Sequence, residues 1–485
     1  MRVRLVEIEC RERPYRLRMP FRFGVTTATH GRQAIVRARI VLDNGLEATG
    51  WSAEALGAKW FDKNTALTDA QNHHQLRRSI EIAARAYLAL PFNTPFGLFA
   101  TAYDKQIADC AAEGLNALVA SYGQSLVDRA VLDGFCRAQE TSFDRALRSG
   151  MVGLGSSHLA PELASFDFSR LFDGRAPAQN IAVRHTVGLS DPILSSDIAP
   201  GDRVDDGLPQ SLEEVVAFYG NRHFKLKIGG DPVADLDRLE QIASVLDRRG
   251  HRYAATLDGN EQYSQPEIIA DFFDRFRSRP SLTRLAGSIL FVEQPVHRAR
   301  ALAASIRPLA NRIPVIIDES DGELSAFCAA RQLGYTGVSS KACKGVWKSI
   351  LNLARCRLWN SQEGQDRYFM SAEDLTCEPG ISLQQDLSLV ALLGLTHVER
   401  NAHHFIDGFG DRPDAEARAF LAAHPDLYHR QNGRVRLRID EGQLRLGSLD
   451  VVGFGAAIDP LFDAAEPMPS AEWPTPGKGT EGASP

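Results

Sequence analysis

From residue 181 onward the chain keeps one rhythm, and that rhythm leaves few folds open. Short β-rich runs recur at IAVRHTV (181–187), HFKLKIG (223–229), YAATLD (253–258), SILFVE (288–293), IPVIID (313–318), YTGVSSK (335–341), YFMSA (368–372) and HVER (397–400). Between them lie segments such as SLEEVVAFYG and PVADLDRLEQIASVLDRRG, with apolar residues at three- and four-residue spacing, the mark of amphipathic helices. Eight strand-helix units with strand starts 22 to 42 residues apart predict an α/β architecture. The parallel strands close through crossover helices into a (β/α)8, or TIM, barrel over 181–430.

The remaining segments are organised around that barrel. Residues 1–150 read as an α+β domain: RVRLVEIEC and QAIVRARIVLDNGLEATGWSAE are strand-like, with a hairpin signal at Asp43-Asn44-Gly45, and helical periodicity follows from about residue 65. A Gly-, Ser- and Pro-rich connection spans 151–180. Residues 431–463 hold two short strand-like runs around Glu441-Gly442, expected to return to the first domain, and 464–485 reads as a disordered tail.

Composition removes several function classes. Lys plus Arg number 55 against 61 Asp plus Glu, a net charge of −6, so there is no basic footprint for nucleic acid or an anionic membrane. No apolar run approaches the ~18 residues of a membrane helix. The N-terminus alternates apolar and charged residues instead of carrying a signal peptide, which predicts a cytoplasmic location. The seven cysteines are scattered without a C-x-x-C pair and read as reduced, buried thiols.

Active sites of parallel barrels sit at the C-terminal ends of the strands, so the polar residues closing each run are the informative ones. Strand two ends in Lys225-Leu226-Lys227, and alternation puts both lysines on the interior face. Strands three, four and five end at Asp258, Glu293 and Asp318, and strand six at Lys341. Any one of these carboxylates would pass as a helix cap or solvated loop residue, and any lone lysine as a surface residue. Three carboxylates in register repel one another unless a cation binds between them, and a hard divalent ion with oxygen ligands, Mg²⁺ first with Mn²⁺ as a substitute, suits them. The paired Lys225 and Lys227 are expected to lower each other's pKa and make a general base. Removing a proton α to a carboxylate builds a second negative charge, which a divalent ion stabilises as an enediolate while a lysine takes the proton.

These residues resemble the enolase superfamily, in particular its muconate-lactonizing-enzyme-like subgroup within the mandelate racemase/muconate lactonizing enzyme family. The motifs are K-x-K at Lys225–Lys227, D-x-N at Asp258–Asn260, E-Q-P at Glu293–Pro295, D-E-S at Asp318–Ser320, and a lysine ending strand six. The resemblance implies a capping domain over a modified barrel, Mg²⁺ held by Asp258, Glu293 and Asp318, acid/base work by Lys227 and Lys341, and Lys225 contacting the substrate carboxylate and tuning Lys227. Alternation turns Glu319 away from the ligand face, and Asn260 reads as a turn or supporting residue. Lys344 competes with Lys341 for the second acid/base role. Two cap loops, around Phe21–His30 and Trp51–Phe61, are expected over the mouth. There Thr26, Thr27 and Trp60 either touch substrate or, in the case of Phe21, Phe23 and Trp60, serve as core aromatics. YFMSAEDL offers no histidine, which argues against the mandelate-racemase-like subgroup.

The expected function is thus an isomerase or lyase acting on a small carboxylate: a racemase, epimerase or cycloisomerase. The alternatives are a syn-dehydratase, a Schiff-base aldolase and a non-catalytic binding barrel. A homo-oligomer is compatible with the resemblance.

Overall fold

A computed structural model describes residues 1–23, 26–174 and 176–470. Its first domain is built on a long antiparallel ribbon, β1 (Val3–Phe23) and β2 (Thr26–Leu42), extended by β3 (Glu47–Ala55). The turn between β2 and β3 falls at the predicted Asp43-Asn44-Gly45, where Gly45 takes φ +87° and its N–H donates to Leu42 O at 2.9 Å. Alternation along β2 serves two cores. Ala34, Val36, Ala38 and Ile40 are fully buried toward the cap helices, while Ile35, equally buried, packs with Trp51 and Ala53 toward the barrel.

The helices of the cap include α1 (Ala58–Phe61), α2 (Asp69–Leu88), α3 (Pro95–Ala112) and α4 (Ala117–Ala138). Thr68 and Gln71 form a capping box at the start of α2. Helix α4 lies so close to the sheet that a Cβ on Gly50 would come within 2.1 Å of Ala130 O, which is why a glycine interrupts this strand.

The barrel strands are β4 (Asn180–Val187), β5 (His223–Lys227), β6 (Ala254–Asp258), β7 (Ile289–Glu293), β8 (Val315–Ile317), β9 (Gly337–Ser340), β10 (Phe369–Ala372) and β11 (His397–Arg400). All eight coincide with the predicted runs. Each pairs in parallel with the next, and β11 pairs with β4 to close the barrel.

Past the barrel, β12 (Tyr428–Gln431) and β13 (Arg434–Leu437) form a hairpin turning at Asn432-Gly433, where both residues have positive φ. The Glu441-Gly442 turn then delivers β14 (Gln443–Arg445) to the start of β4, where it pairs with Asn180–Ala182, not to the cap. Beyond β14 the chain packs on the cap. Phe454 stacks on Phe143 at 3.8 Å and its N–H donates to Asp133 Oδ1 at 2.7 Å, and β15 (Glu466–Pro467) pairs with β1. Most of the expected tail, from residue 471, lies outside the described residues. No helix among them is long and apolar enough to cross a membrane, and all seven cysteines are free thiols.

Candidate active site

The strand-end residues singled out from sequence come together at the barrel mouth, buried beneath the cap. Lys225 stands at their centre. Its Nζ lies 2.9 Å from Asp258 Oδ2, 2.8 Å from Glu293 Oε2, 2.8 Å from Glu373 Oε2 and 2.9 Å from Glu399 Oε2. Lys227, two residues on and facing the same interior, donates to Asp258 Oδ2 at 2.6 Å. Across the mouth, Lys341 donates to Asp318 Oδ2 at 2.7 Å. Register explains the grouping: Lys227, Asp258 and Glu293 are direct neighbours on adjacent strands.

The expectation that paired lysines depress each other is overturned for Lys225. Burial pulls its pKa down, but the four carboxylates around it more than offset that and hold it well above the ordinary lysine value. Lys341 is likewise raised: burial opposes the charged form, and Asp318 outweighs burial. The partners move oppositely. Asp318 is pulled far below the carboxylate range against its own burial by Lys341 and Lys344, and Glu399 falls well below it through Lys225 and Lys227. Glu293 is pushed up by burial and by the charges of Asp258 and Glu373.

The two candidate lysines at strand six point in different directions. Lys341 lines the cavity, whereas Lys344 turns behind Asp318, donating to Ser339 Oγ at 2.7 Å and pairing with Asp321 at 3.0 Å. Trp60 is also brought in. Its indole covers Lys341, with Nζ 4.1 Å from the ring centroid. Asn260 sits at φ +41° and its backbone N–H caps Asp258 Oδ1 at 2.8 Å; its side chain reaches Glu319 at 3.4 Å. Glu319 turns away from Lys341 and meets Lys63 of the cap at 3.6 Å.

Of the segment expected as a loop around Phe21–His30, the described residues 21–23 and 26–30 belong to the β1–β2 ribbon, placing Phe21 and Thr27 on the cavity wall. Trp51 through Ala55 belongs to β3, so only the stretch after Ala55 forms a loop and short helix over the mouth. The side chains of Phe23 and Thr26 lie outside the described residues. The cavity at the mouth is about 170 Å³, with Lys225, Lys227, Asp258, Asp318 and Lys341 on its floor and Phe21, Leu56, Trp60 and Leu375 among its walls.

Sequence reasoning missed Glu373 and Glu399. Glu373 follows β10 directly and is held by Arg184 and by Ser371 Oγ at 2.5 Å; Glu399 accepts from Thr186 Oγ1 at 2.6 Å. The signal was present for Glu399: in HVER, alternation sends Val398 and Arg400 outward and Glu399 inward with the lysines.

Among the described residues no three His, Cys, Asp or Glu side chains form a ready-made metal cage, because Lys225 stands among the carboxylates. The donor set nevertheless suits a hard cation. Asp258, Glu293 and Asp318 are buried, all-oxygen and borne on consecutive strands, and Glu293 Oε2 receives no directed hydrogen bond although the Lys225 ammonium is 2.8 Å away.

Residues 208–354 match the family model described as enolase C-terminal domain-like. The stretch that carries β5 through β9 is thus similar to the enolase C-terminal domain. Solved structures of similar fold include an enolase from Bradyrhizobium complexed with magnesium and mandelic acid, at 15% identity and TM-score 0.59, covering 97% of this chain and 99% of that one. A dipeptide epimerase from Enterococcus faecalis complexed with Mg and a dipeptide is similar at 14% identity and TM-score 0.57 over 93% and 99% of the two chains. Muconate lactonizing enzyme from Mucobacterium smegmatis, complexed with muconolactone, is similar at 19% identity and TM-score 0.56 over 96% and 100%. No curated protein matches the chain. The Lys-x-Lys pair and the strand-six lysine, which carry the resemblance to the muconate-lactonizing-enzyme-like subgroup, both fall within the matched stretch.

Proposed function

We propose that the chain is a Mg²⁺-dependent enzyme that abstracts the proton α to a small-molecule carboxylate, a racemase, epimerase or cycloisomerase of the enolase superfamily. The observation that carries this reading is the opposed pair of lysines. Lys227 and Lys341 reach one cavity from β5 and from the end of β9, each tied to a different carboxylate.

Asp258, Glu293 and Asp318 would hold the cation. When bound, it supplies positive charge against the substrate carboxylate as negative charge develops there. The protein's own groups do the rest. The lysine facing the α-hydrogen accepts the proton at Nζ, and the lysine opposite donates one to the other face of the α-carbon, which inverts the centre. Lys225, close to both Asp258 and Glu293, balances the buried negative charge and orients the carboxylates. Trp60, Leu56 and Phe21 exclude water over the reacting atoms. The magnesium-bound neighbours from Bradyrhizobium and Enterococcus faecalis support the choice of ion.

The test is α-hydrogen exchange in D₂O, followed by NMR and mass spectrometry over N-acyl amino acids, dipeptides and acid sugars, with and without Mg²⁺. Exchange that requires Mg²⁺ and disappears in Asp258→Ala supports the reading. Exchange that persists after chelation refutes it.

A further inference from the structure

The two lysines are held in different ways, and the difference lies in the cap. Lys227 is fixed by the barrel alone, through Asp258. Lys341 has Asp318 on one side and the Trp60 indole on the other, with its ammonium 4.1 Å from the ring centroid, inside the range of a cation–π contact. A lysine has a flexible four-carbon stem and no planar fork to fix its direction, so one ion pair leaves it free to swing. The second contact removes that freedom.

Trp60 is itself clasped to the barrel. The carbonyl oxygens of Trp60 and Phe61 accept from Arg298 at 2.9 and 3.0 Å. Arg298 is held by Glu261 through Nε at 2.8 Å and Nη2 at 2.9 Å. Glu261 also pairs with Lys63 of the cap at 2.5 Å, and Lys63 donates to Asn260 O at 3.2 Å. On the cap side Phe61 packs edge-on to both Trp60 and Tyr122. A barrel arginine and a cap lysine, joined through one buried glutamate, thus seat the indole over the mouth.

We propose that Trp60 is a positioning residue for Lys341, and that the Arg298–Glu261–Lys63 clasp makes the Lys341 half of the acid/base pair depend on docking of the cap, while the Lys227 half does not. The inference rests on Lys341 acting as one of the two acid/base groups. Its test needs neither metal nor turnover, so failure of the catalytic reading and failure of the positioning reading are separable.

The test is labelling of the full-length protein with trinitrobenzenesulfonate, with modification at Lys341 and Lys227 quantified by peptide mass spectrometry. In Trp60→Leu the Lys341-to-Lys227 ratio rises about tenfold, the factor that loss of a contact of roughly 1.4 kcal/mol releases. It rises in Glu261→Gln as well, and Trp60→Phe returns it close to wild type because the ring face is kept. An unchanged ratio in Trp60→Leu overturns the proposal. So does an equal rise at both lysines, which would make Trp60 a general wall of the cavity. If Trp60→Leu does not fold, the emission of Trp60, obtained by subtracting the Trp60→Phe spectrum, replaces it as the readout. Its shift in Lys341→Met supports the contact, and an unchanged spectrum overturns it.

Discussion

Lys225→Met removes the one ammonium that lies within 3 Å of Asp258, Glu293, Glu373 and Glu399. Methionine keeps much of the side-chain volume, so the change is mainly in charge, and breaking a buried ion pair from one side costs about 3–5 kcal/mol. At about 2 °C per kcal/mol for a large domain, Tm in EDTA falls by roughly 6–10 °C. The sign with pH follows from the carboxylates. Asp258 and Glu399 are depressed in the folded protein, so their stabilisation is present above the unfolded carboxylate pKa and is lost as pH falls through the folded values. The gap between wild type and variant therefore holds from neutral pH down to the unfolded carboxylate pKa of about 4 and narrows below it. A bound divalent cation replaces the missing charge, so Mg²⁺ raises the Tm of Lys225→Met more than that of wild type. Calorimetric scans of both proteins in EDTA and in Mg²⁺ decide the matter. An unchanged Tm for the variant in EDTA, or an equal gain from Mg²⁺ in both proteins, would refute the view of Lys225 as the charge that balances this carboxylate group.

Further outcomes follow from the same geometry. Lys341→Met lowers α-hydrogen exchange by about 10²–10⁴-fold, the contribution of a positioned acid or base, while Lys344→Met, acting only from behind Asp318, lowers it less; steady-state exchange rates separate the two. Glu261→Gln weakens the clasp on Arg298 and Lys63, and limited proteolysis cuts the 57–67 segment faster than in wild type. Lys348 is buried beside Asp321 and its pKa is lowered to about 8 by burial, below its unfolded value near 10.4. Between those values the unfolded chain holds the extra proton, so this group's contribution to stability rises with pH from 8 to about 10.4. Lys348→Met loses that rise, which paired thermal scans across the window detect.

The barrel was legible because its signal is repeated. Eight β-rich runs separated by amphipathic segments fix strand count, order and direction, and strand-end polarity fixes which residues face the mouth. Individual side-chain roles were less legible. Two neighbouring lysines suggested mutual depression of pKa, whereas the carboxylates brought by β6, β7, β10 and β11 outweigh it at Lys225, a balance visible only when distant strands are closed into a ring. Glu373 follows a strand whose sequence carries no familiar ending, and so passed unnoticed. The place of Trp60 depends on Arg298 and Glu261, far away in the sequence, so neighbouring residues alone offered no choice between core aromatic and cavity wall.

The central claim is that Lys227 and Lys341 serve opposite faces of one α-carbon. The most direct measurement follows α-deuterium incorporation from each enantiomer of an exchanging carboxylate in Mg²⁺ and D₂O, comparing wild type with Lys227→Ala and Lys341→Ala. The account predicts that each variant loses exchange from one enantiomer while the other enantiomer still exchanges, and that both lose interconversion. Loss of exchange from the same enantiomer in both variants, or interconversion that survives either substitution, would contradict it.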